Sequence, residues 1–462
     1  MIGERISALR QFSIETLVRP AIVLGVLGLA AYLAYSGNAQ WVVLLSGLVL
    51  CLVLMHNLSL GFVILLVAGL SIPFAVGTGS QTELNVAALL IPLLCGVWIL
   101  QMVVRGELRL APSRVNLPLF ALTASVTLSL LLGNLTWNVF AEPVRFSVQI
   151  GGWAIFILSF GVFLCAANRI QVRWLEWLVF SFCLIGAVVV AGRIFAPFAG
   201  LALKLIAPGS TGSLFWLWIA ALAGGQLLFN RSLHWGIRFV LAALIFGTFW
   251  ALWVLDRSWA SGWLPAGLCL FLLVLFRSWR IGILVLLLGA LFLFMRQPDF
   301  VSRLIAADQY SLDTRLIAWQ IILTDVIRPD PLFGLGPANY REYTQLYPIL
   351  GWYVKFNSHN QFVDLAAQIG LIGLGLFFWL MVSIWRVGWS LRKRVGNGFK
   401  RGYVYGCLAG LVGTLAAGML ADWFLPFVYN IGFAGFRASM LGWLFLGGLV
   451  SLEHMQYGRA DD

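Results

Sequence analysis

The stretch NSHNQFVDLAAQIGLIGLGLFFWLMVSIW, residues Asn357 to Trp385, joins a polar cluster to a long apolar run. A helix that crosses a bilayer needs about 20 predominantly apolar residues, and this run is long enough. The same character extends over the chain, because 61% of its 462 residues are hydrophobic and only 10% are charged. Helices satisfy their own backbone hydrogen bonds in lipid. The sequence therefore predicts an all-α integral membrane protein.

Fourteen apolar stretches have the length and composition of a membrane span. The first follows Arg5, Arg10 and Arg19 without a clear cleavage site, so we expect it to remain as a span. We detect no internal repeat, and predict a single polytopic membrane domain over residues 1–462 with about 14 transmembrane helices. Their centres lie near Gly28, Gly47, Val67, Leu94, Ser125, Leu158, Val188, Ala221, Ile245, Leu268, Leu287, Phe378, Leu411 and Trp443.

The charges of the connecting loops predict the orientation of the spans. If the N-terminus is cytoplasmic, the termini and the loops on that side hold 19 of the 30 Lys and Arg and 7 of the 18 Asp and Glu. The other side is left with 11 basic and 11 acidic residues. An excess of positive charge marks the cytoplasmic side, so we expect both termini there. The basic loops thus act as topology signals, and we expect no nucleic-acid partner.

This topology places one long loop, residues 296–360, on the outer face between spans 11 and 12. The sequence of this loop predicts short helices that lie on the membrane surface. One of them is the segment DTRLIAWQIILTDVI. A glycine turn follows in PLFGLGPANY, where glycine lets the backbone approach another group closely. The segment REYTQLYPILGWYVKF is rich in Tyr and Trp. It is either an interfacial aromatic belt or a surface on which sugars stack.

One histidine of the four, His359, faces outward in this topology. Ser358 and Gln361 have the Ser-x-x-Gln spacing of a capping box, so we expect His359 in the first turn of the twelfth span. The positive end of the helix dipole would then lower the pKa of the imidazole. A neutral imidazole is what a general base near pH 7 requires. The alternative is a histidine with a structural role.

Outward arginines form a second group of candidates. Arg193 follows the seventh span, Arg257 lies in a minimal turn between spans nine and ten, and Arg315 lies in the long loop. Guanidinium groups bind phosphate oxygens through a bidentate fork, which suits a diphosphate held at headgroup level. The alternative is salt bridging to nearby acids such as Asp256 and Asp313.

Metal ligands are scarce on the outer side. The six cysteines all fall in apolar runs, and a single outward histidine would leave only carboxylates as further ligands. We therefore expect no metal and no other cofactor.

Three segments of the chain resemble one known family. They are TRLIAWQIIL, PDPLFGLGPANY and NSHNQFVDLAAQIGLIG, and together they span Arg315 to Gly373. Their pattern is an arginine four residues before a tryptophan, then Pro-x-x-Gly-x-Gly, then His-Asn-x-Phe and a Gly-x-x-Gly span. This pattern is similar to the signature of the O-antigen ligase and polysaccharide polymerase superfamily. DRSWASGWLPAGL resembles the family's arginine-containing turn more weakly, and Arg193 is matched by position only.

The resemblance implies a GT-C-like helical bundle in the bacterial inner membrane. Such enzymes transfer a glycan from undecaprenyl diphosphate to a hydroxyl on the periplasmic face, without metal and with inversion at the anomeric carbon. Carried over by motif, His359 would be the general base, and Arg315, Arg257 and Arg193 would bind the diphosphate. The residues expected to support them are Ser358, Asn360, Trp319, Gly334 and Gly336.

Three functions remain open at this point. A ligase would use a lipid A core as acceptor, whereas a polymerase of O-antigen, capsule or exopolysaccharide would use a growing polysaccharide. A transporter of lipid-linked glycans would show ionisable residues in mid-membrane and broken helices. Nearly all charges here map to loops or span ends, and this favours a membrane glycosyltransferase.

Overall fold

The computed structural model describes residues 39–77, 83–135, 138–254, 259–296 and 309–457. Within these ranges the chain forms sixteen α-helices and two short strands, and α9 and α12 continue into π-helical turns at Trp250–Val254 and Ile322–Val326. The elements are α1 Ala39–His56, α2 Leu58–Ser71, β1 Ala75–Gly77, β2 Glu83–Asn85, α3 Val86–Val104, α4 Asn116–Leu132, α5 Phe146–Arg169, α6 Val172–Ile194, α7 Ala196–Leu205, α8 Ser213–Phe229, α9 Trp235–Phe249, α10 Ala260–Arg277, α11 Trp279–Arg296, α12 Gln309–Ile321, α13 Tyr340–Thr344, α14 Gln361–Leu391, α15 Phe399–Leu420 and α16 Gly432–Tyr457.

The prediction of an all-α membrane protein is confirmed. Eight helices of the described part are long and apolar enough to cross a bilayer: α3, α5, α6, α9, α10, α14, α15 and α16. Several shorter apolar helices, including α2, α4, α8 and most of α11, accompany them. Of the predicted span centres, Gly28 lies outside the described residues and the other thirteen lie in helices. The count of fourteen spans stays a prediction.

Two helices form the centre of the bundle. Helix α8 is buried along almost its whole length and packs against α10 and α15, while α16 packs against α5. Gly225 of α8 lies directly against the backbone of Gly402 and Gly406 in α15, the small-residue packing typical of helices in lipid. Next to α16, the ring of Phe424 stacks on Trp443 with centroids 4.1 Å apart. This packing anchors the segment between α15 and α16, which carries part of the site.

Helix α14 is broken within its first half. Gly370 has φ +70° and ψ −179°, so the backbone leaves the helical path there. The groups freed by the break bond to residues 331–336, hereafter the glycine turn, so no lipid-facing polar backbone results. The bonds run from Leu335 N to Ala367 O (2.9 Å), from Gly336 N to Gln368 O (3.0 Å), from Leu371 N to Pro331 O (2.9 Å) and from Ile372 N to Leu332 O (3.2 Å).

Glycine is required on both sides of this contact. Gly334 and Gly336 have φ of +75° and +90°, a left-handed region that other residues seldom adopt. A Cβ on Gly334 would lie 2.5 Å from the backbone nitrogen of Gly370. The group that the predicted glycine turn approaches is therefore the twelfth span itself. Broken helices are a feature that we expected of a transporter. In this chain the four backbone groups of α14 named above bond to the glycine turn.

Candidate functional site

The start of α14 differs from the predicted capping box. The N-cap is Asn360, whose Oδ1 accepts hydrogen bonds from Phe362 N (2.9 Å) and Val363 N (3.4 Å). Gln361 does not return to cap the helix, because its side chain bonds the backbone of Leu425 instead. Asn is at least as good an N-cap as Ser, and Ser358 is occupied elsewhere. His359 therefore precedes the helix, and the prediction that it lies in the first turn was wrong.

His359 lies half-buried in an unusual backbone conformation. Its φ is +48°, in the left-handed region, where histidine is more common than most residues yet still rare. Its Nδ1 lies 3.2 Å from Nδ2 of Asn430. That same Nδ2 donates a hydrogen bond to Oδ1 of Asp422. A His359–Asn430–Asp422 chain, hereafter the relay, thus joins the entry of α14 to the α15–α16 connection.

The pKa of His359 is lowered, as predicted, but for different reasons. Burial is the larger cause, and the positive charge of Arg315 is the second. Arg315 lies in α12 and donates from Nη1 to the carbonyl of Leu420 at 3.1 Å, at the C-terminal end of α15. The structure thus brings Arg315 to the same site as His359. The imidazole is neutral over a wider pH range than that of an exposed histidine.

Asp422 is fully buried next to this site. Its Oδ2 accepts a hydrogen bond from the backbone of Phe427, and its Oδ1 accepts one from Asn430. Burial raises the pKa of Asp422 to about 6, and the hydrogen bonds oppose that rise. Asp422 is thus ionised at pH 7, and its charge lies one amide group away from the imidazole.

A second buried network supports the segment that precedes His359. Ser358 accepts from Asn360 N and donates to Oδ1 of Asp364 at 2.7 Å, and Tyr340 donates to the same oxygen. Burial and the nearby Asp364 raise the pKa of Tyr340 well above its ordinary value, so the phenol stays a donor. Trp319 donates from Nε1 to the Ser358 carbonyl at 2.7 Å. These bonds fix the backbone on which His359 is held.

Of the other two predicted arginines, one lies within the described residues. Arg193 lies in the last turn of α6, with its guanidinium carbon 5.0 Å from the centre of the Trp216 ring. Arg257 lies outside the described residues. Its near neighbour Trp259 is described, and the Trp259 ring packs edge-on against Trp423 at 6.0 Å. Trp423 follows Asp422 directly, so α10 begins beside the relay.

The aromatic segment of the long loop divides into two parts. Tyr343 is buried beneath the site, whereas Trp352 and Tyr353 are 72% and 69% exposed at a tight turn. Arg341 lies over the ring of Tyr429 at 4.6 Å. The buried part of the segment therefore supports the site from below. The exposed part is consistent with either an interfacial aromatic belt or a surface on which sugars stack.

The contact with Asn430 determines what the imidazole can do. An amide that presents its nitrogen donates to Nδ1, and the neutral ring then carries its hydrogen on Nε2. An amide that presents its oxygen accepts from Nδ1–H and leaves Nε2 with a free lone pair. In the structure Nδ2 of Asn430 faces both Nδ1 of His359 and Oδ1 of Asp422, which is the first arrangement. Only the second arrangement lets Nε2 accept a proton.

Sequence reasoning missed the relay partners. Asp422 and Asn430 lie in ADWFLPFVYNI, the short connection between α15 and α16, in which Asp422 attracted notice only as a charge near a span end. Two polar residues in so short an apolar connection were the available signal. Among the described residues, no three His, Cys, Asp or Glu side chains converge as a metal site would require. Metal independence stays a prediction.

Residues 236–378 match the protein family described as O-antigen ligase. The matched region runs from α9 into α14 and contains Arg315, the glycine turn and His359. Asp422 and Asn430 lie beyond it. No curated protein matches the chain.

Proposed function

We propose that this membrane protein, whose residues 236–378 match the O-antigen ligase family, transfers a glycan from a lipid diphosphate to a hydroxyl group at the His359 site. The observation that carries the proposal is the convergence of His359, Arg315 and the Asn430–Asp422 pair from three separate segments. A neutral base and a fixed cation side by side suit the deprotonation of a hydroxyl and the departure of an anion.

His359 acts as the base through Nε2. It takes the proton of the acceptor hydroxyl while the hydroxyl oxygen forms a bond to the anomeric carbon of the donor. The bond from that carbon to the diphosphate oxygen breaks, and the electron pair leaves with the diphosphate. In the arrangement that we propose for turnover, the Asn430 amide turns so that its oxygen accepts from Nδ1–H while its nitrogen stays on Asp422. The relay then holds the required tautomer, as an orienting Asn does beside the base of papain-like proteases.

Arg315 stabilises the negative charge that develops on the leaving diphosphate. A charge-assisted hydrogen bond contributes most where water is excluded, and the buried surroundings of His359 meet that condition. We extend the same role to Arg257 and Arg193 on the motif and positional matches. No metal takes part in this scheme. Attack from the side opposite the diphosphate inverts the anomeric carbon.

The donor is proposed to be an undecaprenyl-diphosphate-linked glycan, in the bacterial inner membrane with the site facing the periplasm. The description of the matched family favours a ligase, with a lipid A core as acceptor. A polymerase would perform the same step on a growing polysaccharide. Surface glycans of a deletion strain separate the two, because long polymer left on the lipid carrier indicates a lost ligase and single repeat units indicate a lost polymerase.

The substitution His359→Ala tests the proposal. It should abolish glycan transfer by the purified enzyme while the variant still elutes as a folded protein. The matched control is His234→Asn, because His234 is an exposed histidine that caps α9 away from the site. Glycan transfer at the wild-type rate in the His359→Ala variant would contradict the role of this residue as the base.

A further inference from the structure

A polar cavity of about 440 Å³ lies where the turns at the ends of α1, α3, α5 and α16 meet, apart from the His359 site. Its size falls within the range of small-molecule sites, roughly 300–1,000 Å³. Most such sites are lined chiefly by apolar groups, whereas this one is lined mainly by polar and charged side chains. We call it the basic pocket and define it by His56, Ser59, Gln101, Arg105, Arg169 and His454.

The basic pocket lies on the opposite face of the membrane from His359. Helix α16 begins two residues after Asn430 and has 26 residues, so it is about 39 Å long at 1.5 Å per residue. His454 lies near the far end of this helix. That distance exceeds the hydrocarbon thickness of about 30 Å. The pocket is therefore separate from the site described above.

Two arginines give this pocket its charge. Arg105 and Arg169 both line the pocket, and the charge of Arg105 acts on Arg169. No acidic residue is among the described residues that line the pocket. The nearest acid in sequence to His454 is Glu453, which bonds Ser113 at 3.0 Å instead. Two like charges held together in one cavity favour an anion between them.

Arg169 is held in place rather than free to swing away. Gln101, which is 5% exposed, accepts from Nη2 of Arg169 at 3.0 Å and donates to the Met55 carbonyl at 2.9 Å. Ser59 donates to the backbone carbonyl of Arg169 at 2.6 Å. One of the two basic side chains thus already has a fixed position, which lowers the entropic cost of binding.

We propose that the basic pocket binds a phosphate group at the membrane face opposite His359, with Arg105 and Arg169 as its ligands. A phosphate group matches the fork geometry of guanidinium and is the commonest anion at a membrane surface. Its source is either the headgroup of an anionic phospholipid or free phosphate. This site is independent of the proposed glycan transfer and takes no part in it.

The test uses the purified full-length protein in a neutral detergent at constant ionic strength. Native mass spectrometry and the melting temperature are followed as phosphatidylglycerol, phosphatidylcholine or inorganic phosphate is added. Arg105→Gln is the main variant, because Arg105 is exposed and its loss should leave the fold intact. Arg169→Lys is the second, and Arg109→Gln is the control, a nearby basic residue outside the pocket lining.

We expect Arg105→Gln to weaken binding about tenfold or more, the usual effect of losing a hydrogen bond to a charged group. Arg109→Gln should leave the affinity unchanged. A response to phosphatidylglycerol alone assigns the phosphate to a lipid headgroup, and a response to inorganic phosphate assigns it to free phosphate. Equal weakening in Arg105→Gln and Arg109→Gln, or no binding of either ligand, would overturn the proposal.

Discussion

Replacing Asp422 with Asn should disable the base without unfolding the protein. The oxygen of the new amide must stay with the backbone N–H of Phe427, so its nitrogen faces Asn430. Two amide nitrogens cannot donate to each other, so Asn430 presents its oxygen to residue 422 and its nitrogen to His359. The ring hydrogen is then fixed on Nε2, and the base lacks a free lone pair.

The expected loss of activity follows from the strength of one bond. A hydrogen bond to a charged partner contributes about 1.5–3 kcal/mol, which corresponds to roughly a 10- to 150-fold decrease in kcat. The same change beside a directly bonded catalytic histidine costs about 10⁴-fold in serine proteases, and the intervening amide makes the present effect smaller.

The thermal stability of the Asp422→Asn variant should not fall along with its kcat. The folded pKa of Asp422, about 6, exceeds the ordinary value of 3.8, so charging Asp422 costs the folded state free energy as the pH rises from 3.8 through about 6. That cost is about 3 kcal/mol at pH 7. Asn carries no charge and avoids it. The melting temperature at pH 7 should therefore be equal to or higher than that of the wild type.

The assay compares kcat and melting temperature for the wild type, Asp422→Asn and Asp325→Asn. Asp325 is a matched control, because its carboxylate bonds only the neighbouring Thr324 among the contacts described. Release of the lipid diphosphate from a lipid-linked glycan donor reports turnover. A folded Asp422→Asn variant with wild-type kcat would refute the tautomer argument.

Three further predictions follow from the same geometry. The kcat/KM of the wild type should fall as the pH drops through about 6, because Asp422 (pKa about 6) and His359 (pKa below its usual 6.5) both become protonated, and a pH profile checks this. Gly370→Ala should lower the melting temperature, since a residue with a Cβ at φ +70° and ψ −179° is strained by about 1–3 kcal/mol and its Cβ also meets a carbonyl of the glycine turn, whereas Gly375→Ala, with open space around it, should not. Arg315→Lys keeps the charge but loses the fork, so the KM for the donor should rise about tenfold; an unchanged KM would exclude a bidentate diphosphate contact.

The fold was predictable from the sequence because lipid imposes one simple rule on it. Each span must be an apolar helix, so apolar stretches alone place thirteen of the predicted centres in helices. The break at Gly370 was not predictable in this way, since LIGLG reads as an ordinary apolar run. Its partner, the glycine turn, lies more than thirty residues earlier, and only tertiary structure brings the two together.

The candidate site was predicted where its residues share a local motif. His359, Arg315 and Trp319 lie within one loop and its flanking helix, and a spacing pattern identifies them. The position of His359 relative to the helix was wrong because two polar residues, one on each side of His359, could each act as the cap. Asp422 and Asn430 come from another connection, and no local pattern joins them to His359.

The bonded break in α14 also affects how the protein is assembled. The glycine turn is synthesised before α14, yet it can bond only to carbonyls and amides that α14 provides. A span with four unbonded backbone groups would be costly in lipid, so we expect α14 to enter the bilayer as an unbroken helix. On this expectation it opens at Gly370 when the turn replaces its own bonds. We therefore expect completion of the site to be a late step of biogenesis, and truncation of the long loop to leave a continuous helix in place of the break.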